Sequence, residues 1–520
     1  MSHKLAKVWS AAVMGLEARP IEVEVDTSPG LHFFHIVGLP DKAVEESRDR
    51  IESAIRNSGF KSPKSQNVKL IVNLAPADVK KEGPWYDLPI AMGYLLATGQ
   101  VKFASQDKLF IGELALDGSL RSTKGILPIA MMARESNIDT LIISRENVPE
   151  ALVVNKVRNS RNLGIIGFNN LSELIAFLQG KITAPLADLE VDTSYQPDES
   201  EVNMSQIRGQ IFAKRGLEIA AAGGHNILMM GQPGSGKTML ARALASILPE
   251  IPLEEALDVT KIYSVAGLLD SKQYIVKKRP FRNPHHTISA IAMIGGGTYP
   301  RPGEISLAHR GVLFLDEFPE FGRYVIESLR QPLEDGKITV SRASGSITYP
   351  ARFQLVAAMN PCPCGNFGDS EKACICSPSA VLKYQKRLSG PFLDRIDLQI
   401  KVSRESLNKI KQSQDGLESS KIKDKIELAR KTQRDRFINA GIFTNSEMSN
   451  KLIKTFCGLD SETQGFLENF VTIKKLSMRS YYRILKLART VADLAQSPKI
   501  LKEHLAEATN FKIDEDINSV

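Results

Sequence analysis

A glycine-rich segment near the middle of the chain constrains its fold more than any other feature. The apolar run from Ile227 to Met230 predicts a short buried strand, and the amphipathic stretch MLARALASIL predicts a helix. Between them lies GQPGSGKT, residues 231–238, so that strand, turn and helix follow in the order of a phosphate-binding loop. A glycine-rich surface turn is the alternative, but the flanking strand and helix argue against it. The sequence therefore predicts a nucleoside triphosphate site.

The residue types of this loop suit the binding of phosphate and Mg²⁺. Glycines let the backbone curl so that successive N–H groups point at phosphate oxygens, and the helix N-terminus adds positive potential. We expect Lys237 to reach the β- and γ-phosphates and the Thr238 hydroxyl to ligate Mg²⁺. The predicted nucleotide contacts are Gly231, Pro233, Gly234, Ser235, Gly236, Lys237, Thr238 and Met239.

Length and composition indicate a multidomain globular protein. A chain of 520 residues exceeds the size of one hydrophobic core, and its 42% hydrophobic and 24% charged residues are typical of globular chains. The sequence has no run of about eighteen apolar residues, and its N-terminus fails as a secretory signal. We therefore expect no membrane span and a cytoplasmic location.

Positive charge is concentrated in the C-terminal part. The formal net charge is +8, and residues 401–490 contain 19 Lys and Arg against 10 Asp and Glu. This balance suits a polyanionic partner such as nucleic acid, although a solvated helical face would explain it equally well.

Composition shifts divide the chain into predicted domains. Residues 1–183 alternate β-branched runs with helical stretches, which predicts a mixed α+β domain. Residues 184–204 are acidic and proline-punctuated and are predicted to be a linker. Residues 205–402 are the predicted nucleotide-hydrolysing core, residues 403–510 a helical lid, and residues 511–520 a disordered tail.

Two further predicted strands of the core end in polar side chains. In GVLFLDE, residues 311–317, Asp316 would hold Mg²⁺ through water, and Glu317 would orient and deprotonate the attacking water. The strand from Phe353 to Met359 precedes Asn360, which would position that water near the γ-phosphate. An ordinary buried strand with an acidic end is the alternative for the first segment.

An arginine follows a turn in GPFLDRID, residues 390–397. Supplied by a neighbouring subunit, Arg395 would neutralise charge on the transferring phosphoryl group. A structural ion pair with Asp394 or Asp397 is the alternative.

Two segments are predicted to project from the core. Residues 289–301, SAIAMIGGGTYPR, are glycine-rich with an apolar start, and residues 337–349, KITVSRASGSITY, have the pattern of a hairpin. Arg342 at the hairpin tip would suit a DNA phosphate, or it is an ordinary exposed arginine.

Four of the five cysteines form two C-x-C pairs, Cys362 with Cys364 and Cys374 with Cys376. Such a set can bind Zn²⁺ tetrahedrally through four thiolates, and the turn-rich segment between the pairs lets them converge. Because C-x-C is a less usual spacing than C-x₂-C, free thiols remain the alternative. Cys457 lies in an apolar helical stretch and is expected in the core.

Together these motifs resemble a known family. The carboxylate-ending strand, the asparagine-ending strand and the Leu-Asp-Arg turn are similar to the ordered parts of an AAA+ ATPase. RPFRNPHHTISAIAMIGGGTYPRPGEISLAHRGVLFLDEFPEF, residues 279–321, resembles the magnesium-chelatase ATPase subunit and, more closely, the ComM/YifB family. Residues 80–99 and 112–135 resemble the Lon-protease domain, which has the ribosomal-S5 domain-2 type of fold.

The resemblance implies an α/β protein with an AAA+ P-loop core, a Lon-like N-terminal α+β domain and a helical lid. Trp85 and Leu127 stand where the protease has its serine and lysine, so the domain is expected to lack protease chemistry. In the lid, Arg479 occupies the position of a sensor arginine that contacts the γ-phosphate, with Arg483 as its rival. In related ring ATPases, both projecting segments line the central pore.

The resemblance also implies a function, namely a hexameric ATP-driven motor for branch migration of DNA during natural transformation. Single-stranded or branched DNA is the implied partner. The alternative is a chelatase motor that helps to insert Mg²⁺ into a porphyrin, or another remodelling ATPase. The Lon-like domain argues against a chelatase, since the chelatase ATPase subunit is expected to lack it.

Overall fold

The computed structural model describes residues 4–156, 161–184, 202–269, 274–297, 300–342, 345–369, 372–404 and 419–512. The chain forms two compact units. Unit 1 contains Met1–Ser194 and Leu253–Val276, and unit 2 contains Tyr195–Pro252 and Lys277–Val520. Most of the predicted linker, residues 185–201, lies outside the described residues.

Unit 1 is built on a seven-stranded mixed sheet. The strands in this part of the chain are β1 (Lys4–Met14), β2 (Glu17–Pro29), β3 (Phe33–Val37), β4 (Val68–Ala75), β5 (Lys108–Phe110), β6 (Glu113–Leu114), β7 (Leu120–Arg121), β8 (Thr140–Ser144) and β9 (Gly164–Phe168). The order in the sheet is β3-β4-β2-β1-β5-β8-β9, and only the β1–β2 and β2–β4 pairs are antiparallel. Strands β6 and β7 form a separate hairpin.

Helices pack on both faces of this sheet. They are α1 (Lys42–Glu45), α2 (Ser47–Asn57), α3 (Pro63–Gln66), α4 (Asp87–Ala97), α5 (Ile126–Glu135), α6 (Val148–Leu152) and α7 (Leu171–Leu178). Alternate residues of β1 belong to different hydrophobic clusters, Val8 to the one that contains α4 and Ala11 to the one that contains α5. The helix Leu253–Ala266, from a later part of the chain, also belongs to unit 1 and contacts α5. Residues 253–276 were predicted to belong to the nucleotide-hydrolysing core. They belong to unit 1, whereas most of that core lies in unit 2.

The two positions of the protease dyad serve in packing. The indole N–H of Trp85 donates to the Ala11 carbonyl at 3.1 Å. Leu127 is fully buried, and its backbone N–H donates to the Glu150 carboxylate at 2.9 Å. Neither side chain offers a nucleophile or a base, so these positions carry no serine–lysine chemistry.

A partly buried ion pair anchors the start of α4. The carboxylate of Asp87 is fully buried and accepts hydrogen bonds from the Arg50 guanidinium at 2.9 and 3.2 Å and from the Leu114 N–H at 3.2 Å. Burial raises the pKa of Asp87 to about 7, and the Arg50 charge opposes part of that rise. Loss of this carboxylate would remove the acceptor of the buried Leu114 N–H and the counter-charge of Arg50.

Unit 2 is built on a five-stranded parallel sheet. The strands in this part of the chain are β10 (Ile227–Gly231), β11 (Phe281–Arg282), β12 (Gly295–Gly296), β13 (Arg301–Pro302), β14 (Val312–Leu315), β15 (Lys337–Arg342), β16 (Gly345–Pro350), β17 (Gln354–Met359) and β18 (Leu398–Val402). The sheet order is β11-β14-β17-β10-β18, with every neighbouring pair parallel. Strands β14 and β17 are buried along their whole length, as expected for inner strands of a parallel sheet.

The remaining helices follow in chain order. They are α8 (Ile211–Gly223), α9 (Lys237–Ile247), α10 (the helix Leu253–Ala266 of unit 1), α11 (Ala290–Ile294), α12 (Glu304–Leu307), α13 (Arg323–Ser328), α14 (Arg330–Asp335), α15 (Pro378–Gln385), α16 (Gly390–Leu393), α17 (Ser419–Arg436), α18 (Asn450–Phe456), α19 (Ser461–Ile473), α20 (Met478–Leu494) and α21 (Lys502–Thr509). Side chains of α17–α21 share one hydrophobic cluster with α8, α9 and the sheet. None of the described helices combines the length and apolar composition that a bilayer crossing requires.

The predicted fold class is confirmed, since unit 2 has a parallel P-loop sheet and C-terminal helices. Two local differences are instructive. Strand β1 was not predicted, although it pairs with β2 over eleven residues. Order also extends beyond the predicted start of the tail, because Phe511 is buried and stacks on Phe212 with 4.6 Å between ring centroids. The rest of the tail, residues 513–520, lies outside the described residues.

Replacing Asp87 by alanine should destabilise unit 1, because the partly buried Arg50 guanidinium and the buried Leu114 N–H lose the carboxylate that accepts their hydrogen bonds. We expect the free energy of unfolding to fall by about 3 kcal/mol. Both tryptophans of the chain, Trp9 and Trp85, lie in unit 1, so tryptophan fluorescence during urea unfolding reports on this unit.

The control for this change is Asp107→Ala, which breaks an ion pair with Lys108 whose N–O distance is 2.8 Å and whose carboxylate is 41% exposed. A pair with a solvated carboxylate contributes less than about 1 kcal/mol. Equal destabilisation by the two substitutions would contradict the anchoring role of Asp87.

Candidate functional site

The carboxyl ends of three neighbouring strands in unit 2 bring predicted site residues together. Strand β10 leads into the phosphate loop, β14 ends just before Asp316, and β17 ends just before Asn360. In the sheet β17 lies between β10 and β14, so Asn360 follows the strand between the loop and the carboxylates. Sequence order conceals this adjacency, because β17 is the last of the three in the chain. We call Lys237, Thr238, Asp316 and Asn360 the Lys237 cluster.

The Lys237 ammonium joins the loop to Asn360. Its Nζ donates to the carbonyls of Gly231 at 2.7 Å and Gln232 at 2.9 Å, and to the Asn360 side-chain oxygen at 3.2 Å. The residue is only 8% exposed, and burial lowers the pKa of Lys237 while Asp316 and Glu317 oppose part of the shift. None of the ion pairs among the described residues includes Lys237. A buried cation held by neutral oxygens is suited to receive an anion.

The Thr238 hydroxyl lies against the first carboxylate. It donates to Asp316 Oδ2 at 2.7 Å, while Asp316 Oδ1 accepts the Glu317 backbone N–H at 2.9 Å. Mg²⁺ prefers oxygen ligands and is usually held by one or two carboxylates together with waters and phosphates. A hydroxyl and a carboxylate within hydrogen-bond distance fit that donor set.

The backbone of the phosphate loop has the conformation that glycine allows. Gly234 has φ +75° and Gly236 has φ +92°, a region that other residues rarely adopt. The Ser235 hydroxyl is buried and has no hydrogen-bond partner among the described residues. The space beside the Gly236 Cα is empty to 4 Å. An unpaired buried hydroxyl below open glycines fits a ligand that carries several oxygens.

The other predicted loop contacts lie at the two ends of this loop and in its first turn. Gly231 ends β10, and Pro233 stands in the turn that precedes Gly234. Met239 lies in the first turn of α9 and is exposed.

The second carboxylate contacts His286, which is not among the predicted site residues. Glu317 is 53% exposed, its backbone is left-handed with φ +50°, and its Oε2 lies 3.4 Å from Nδ1 of His286. Such a conformation in a residue other than glycine is held by its surroundings and is common at functional sites. Strand β11 pairs in parallel with β14, so the residues after both strands meet at one sheet edge. The position of His286 after a strand was the available signal, but the pairing of that strand was unknown.

The two arginines predicted to act on the γ-phosphate form a second group. Arg395 and Arg479 both pair with Glu334 Oε1, at N–O distances of 2.7 and 3.1 Å. The Arg395 side chain is 9% exposed, whereas that of Arg479 is 56% exposed. None of the described hydrogen bonds or ion pairs links either arginine to the Lys237 cluster. Glu334 belongs to no motif, and neither Asp394 nor Asp397 is the ion-pair partner of Arg395.

The rival sensor, Arg483, is engaged elsewhere. It donates to Asp397 at 2.6 Å and to the Arg395 carbonyl at 2.7 Å. Burial alone would raise the pKa of Asp397, but Arg483, His225 and the Asn226 N–H outweigh it and hold that pKa well below its usual range. Arg483 therefore balances a buried carboxylate next to Arg395.

The two C-x-C pairs converge as predicted. The sulfurs of Cys362, Cys364 and Cys374 are 3.4 to 3.6 Å apart, and all four thiols, with Cys376, lie within 4.8 Å of one another. Four thiolates at about 2.3 Å from a tetrahedral Zn²⁺ lie about 3.8 Å apart, so this arrangement can accept such an ion. The N–H groups of residues 366 and 375 hold the pKa of Cys364 at about 6. Cys457 is buried away from this set, as predicted.

The two projecting segments meet within unit 2. A Cβ on Gly296, in hairpin β12–β13, would lie 2.6 Å from the Arg342 guanidinium, in hairpin β15–β16. Arg342 is exposed. Residues 298–299 and 343–344 lie outside the described residues.

Comparison with known families covers most of the chain. The family model described as magnesium chelatase, subunit ChlI, matches residues 203–410. A second, described as subunit ChlI of Mg-chelatase, matches residues 23–147. A third, described as magnesium chelatase, subunit ChlI C-terminal, matches residues 416–512.

Similar proteins extend over almost the whole length. The chain is 43% identical over 513 residues to the competence protein ComM of Haemophilus influenzae, covering 98% of this chain and 97% of the relative. It is 43% identical over 512 residues to YifB of Escherichia coli, with the same coverage. The magnesium-chelatase 38 kDa subunit of Rhodobacter capsulatus is 30% identical over 197 residues, which cover 35% of this chain and 56% of that subunit. The chain therefore belongs to the ComM/YifB family of magnesium-chelatase-like AAA+ proteins.

Proposed function

We propose that this protein is an ATPase whose Lys237 cluster binds and hydrolyses ATP. The observation that carries this proposal is the buried Lys237 ammonium, which lies between the loop carbonyls and Asn360 and takes part in none of the described ion pairs. Membership of a magnesium-chelatase-like AAA+ family supports the same activity.

The geometry supports a division of labour among the side chains. Lys237 would exchange its carbonyl partners for the β- and γ-phosphates. Thr238 and Asp316 would hold Mg²⁺, which when bound neutralises charge on the phosphates. Glu317 would take the proton of the attacking water, which Asn360 orients. His286 contacts the Glu317 carboxylate and would keep it from turning away from the site.

The arginine group supports a ring, which we propose is a homohexamer. Arg395 and Arg479 share Glu334 and none of their described contacts reaches the Lys237 cluster of their own chain. We propose that Arg395 acts on the ATP of the neighbouring subunit, and that Arg479 acts from the lid. Arg483 is the weaker choice for the lid, because its guanidinium already balances Asp397.

We further propose that the ring is a DNA motor, specifically a branch-migration helicase acting on branched or single-stranded DNA during natural transformation. The near full-length similarity to competence protein ComM supports it. The excess of positive charge in residues 401–490 and the exposed Arg342 beside a glycine-rich hairpin suit a polyanion that passes these segments.

The alternative is an ATPase that remodels a protein or helps to insert a metal, as a chelatase motor would. The family models carry chelatase names and one of them matches the N-terminal unit, so the Lon-like domain by itself does not exclude this reading. The named chelatase subunit covers only 35% of this chain, against 98% for ComM.

For the four-thiol set we propose Zn²⁺ as the ligand. Four cysteine sulfurs within 4.8 Å of one another suit Zn²⁺, whereas Mg²⁺ and Ca²⁺ prefer oxygen ligands.

Lys237→Ala should weaken ATP binding by at least about tenfold, because the phosphates lose a buried cation. Equilibrium binding of a fluorescent ATP analogue measures this loss.

Glu317→Gln should bind ATP normally yet turn over about 10²- to 10⁴-fold more slowly, because the amide cannot take the proton. Steady-state phosphate release measures the turnover.

Two exposed neighbours serve as matched controls for these variants. Arg242 lies on the same helix as Lys237, and Glu320 lies three residues after Glu317. The control variants are therefore Arg242→Ala and Glu320→Gln. Both should leave binding and turnover within about twofold of the parent, as surface substitutions usually do. Full ATPase activity in Lys237→Ala would refute the central assignment.

Mixing two inactive variants tests whether Arg395 acts across a subunit boundary. Arg395→Ala keeps its own water-activating Glu317, whereas Glu317→Gln keeps its arginine. Mixed rings should therefore regain part of the ATPase activity that each variant lacks alone. If mixtures stay inactive while both variants bind ATP and assemble, the arginine does not act in trans.

Arg342→Ala should reduce the stimulation of ATPase activity by DNA without changing the basal rate, because none of the described contacts of Arg342 reaches the Lys237 cluster. Forked DNA, a four-way junction and single-stranded DNA are compared as activators. The control is Lys337→Ala, at the base of the same hairpin. Equal losses would indicate general charge effects, and no stimulation of the parent protein by any DNA would favour the remodelling alternative.

A further inference from the structure

The four-thiol set is joined to the Lys237 cluster by only two peptide bonds. Asn360, an acceptor for Lys237, is followed by Pro361 and then Cys362, which is fully buried. The Cys362 carbonyl accepts the Gly365 N–H at 3.0 Å, which closes a tight turn. We call residues 362–365 the cysteine turn.

The cysteine turn lies directly on the phosphate loop. Gly365 has φ +82°, and a Cβ built there would lie 2.5 Å from both Cδ and Cγ of Pro233. That distance is shorter than any ordinary carbon contact, so only glycine allows the turn to approach the proline ring this closely. Pro233 follows Gln232, whose carbonyl is another acceptor for Lys237. Of the three acceptors of the lysine, Gln232 is thus adjacent in the chain to Pro233, and Asn360 lies two residues before the cysteine turn.

We propose that a Zn²⁺ ion bound by Cys362, Cys364, Cys374 and Cys376 positions the phosphate loop through the Gly365–Pro233 contact. Metal occupancy then sets the affinity for ATP. This inference rests on the ATPase activity proposed above and adds a metal requirement to that same site. Zn²⁺ takes no part in the chemistry, because its four positions are filled by thiolates and leave none for water or substrate.

The physical reason lies in the bonds between metal and sulfur. The four sulfurs lie within 4.8 Å of one another, and a divalent cation bound by all four would tie the two C-x-C pairs together. Without the cation no bond joins the two pairs, the cysteine turn loses its shape, and Pro233 loses the surface against which it packs. The loop carbonyls and Asn360 then no longer hold Lys237 in one place, and the binding of phosphate weakens.

Two glycines of the same segment provide a matched test. Gly365 and Gly368 have nearly the same backbone conformation, φ +82° and +76°, so alanine is equally strained at both. Only Gly365 faces Pro233, whereas the space beside Gly368 is empty to 4 Å. Gly365→Ala should weaken the binding of a fluorescent ATP analogue by at least about fivefold, and Gly368→Ala by less than about twofold. Both proteins should keep the Zn²⁺ content of the parent, measured by atomic absorption.

Removal of the metal tests the other half of the inference. Protein stripped by a chelator, which is then dialysed away before Mg²⁺ is restored, should bind the analogue at least about fivefold more weakly. Added Zn²⁺ should restore the affinity of the parent protein. Cys374→Ser should lose Zn²⁺ and bind the analogue weakly in every condition, whereas Cys457→Ser, at the buried cysteine outside the set, should behave like the parent. Thermal melting of each variant checks that it is folded.

The outcomes separate this inference from the proposed ATPase. A parent protein that binds the analogue equally well with and without Zn²⁺, together with equal affinities for the two glycine variants, would overturn the inference alone. The inference would also be overturned if the parent protein contains no Zn²⁺ and if adding Zn²⁺ leaves its affinity for nucleotide unchanged. A parent protein that binds no nucleotide in any metal condition would overturn the ATPase, and this inference with it.

Discussion

The arrangement of unit 2 depends on one buried cation. The Lys237 ammonium is placed by a parallel sheet whose strands all end at the same edge, so that the loop after β10 and Asn360 after β17 meet at its Nζ. A lysine so poorly exposed carries a desolvation cost, which its carbonyl and amide partners offset only partly. The site is therefore most favourable when an anion is present, which is the property that a phosphate-binding loop needs.

The side chains proposed to act on ATP are held in place by different interactions. Thr238 and Asp316 hold each other by a direct hydrogen bond, and Glu317 is held by its left-handed backbone and by contact with His286. Arg395 and Arg479 are held by Glu334. In the proposed ring these arginines would leave or share that carboxylate as ATP arrives from the neighbouring subunit. The affinity for ATP and the assembly of the ring would then be coupled through Glu334, which itself would contact no nucleotide.

Local patterns predicted the elements of the site because their causes are local. Apolar runs bounded by glycine or acidic residues became β10 and β14, and the hairpin sequence around Arg342 became β15–β16. Pairings between distant segments were not predictable in the same way. Strand β1 is stabilised by its long register with β2, and α10 leaves the part of the chain around it to join unit 1. Both depend on surfaces that form only when distant segments meet.

The sequence by itself determined the chemistry of this protein: a phosphate loop, two carboxylates, an asparagine and four thiols in recognisable spacings, because these properties reside in residue types and their order. Only the tertiary structure decided the partners. The pairing of Glu317 with His286, the sharing of Glu334 by two arginines and the approach of Gly365 to Pro233 depend on distances between segments far apart in the chain. Such distances are set by sheet order and packing, and no local pattern encodes them.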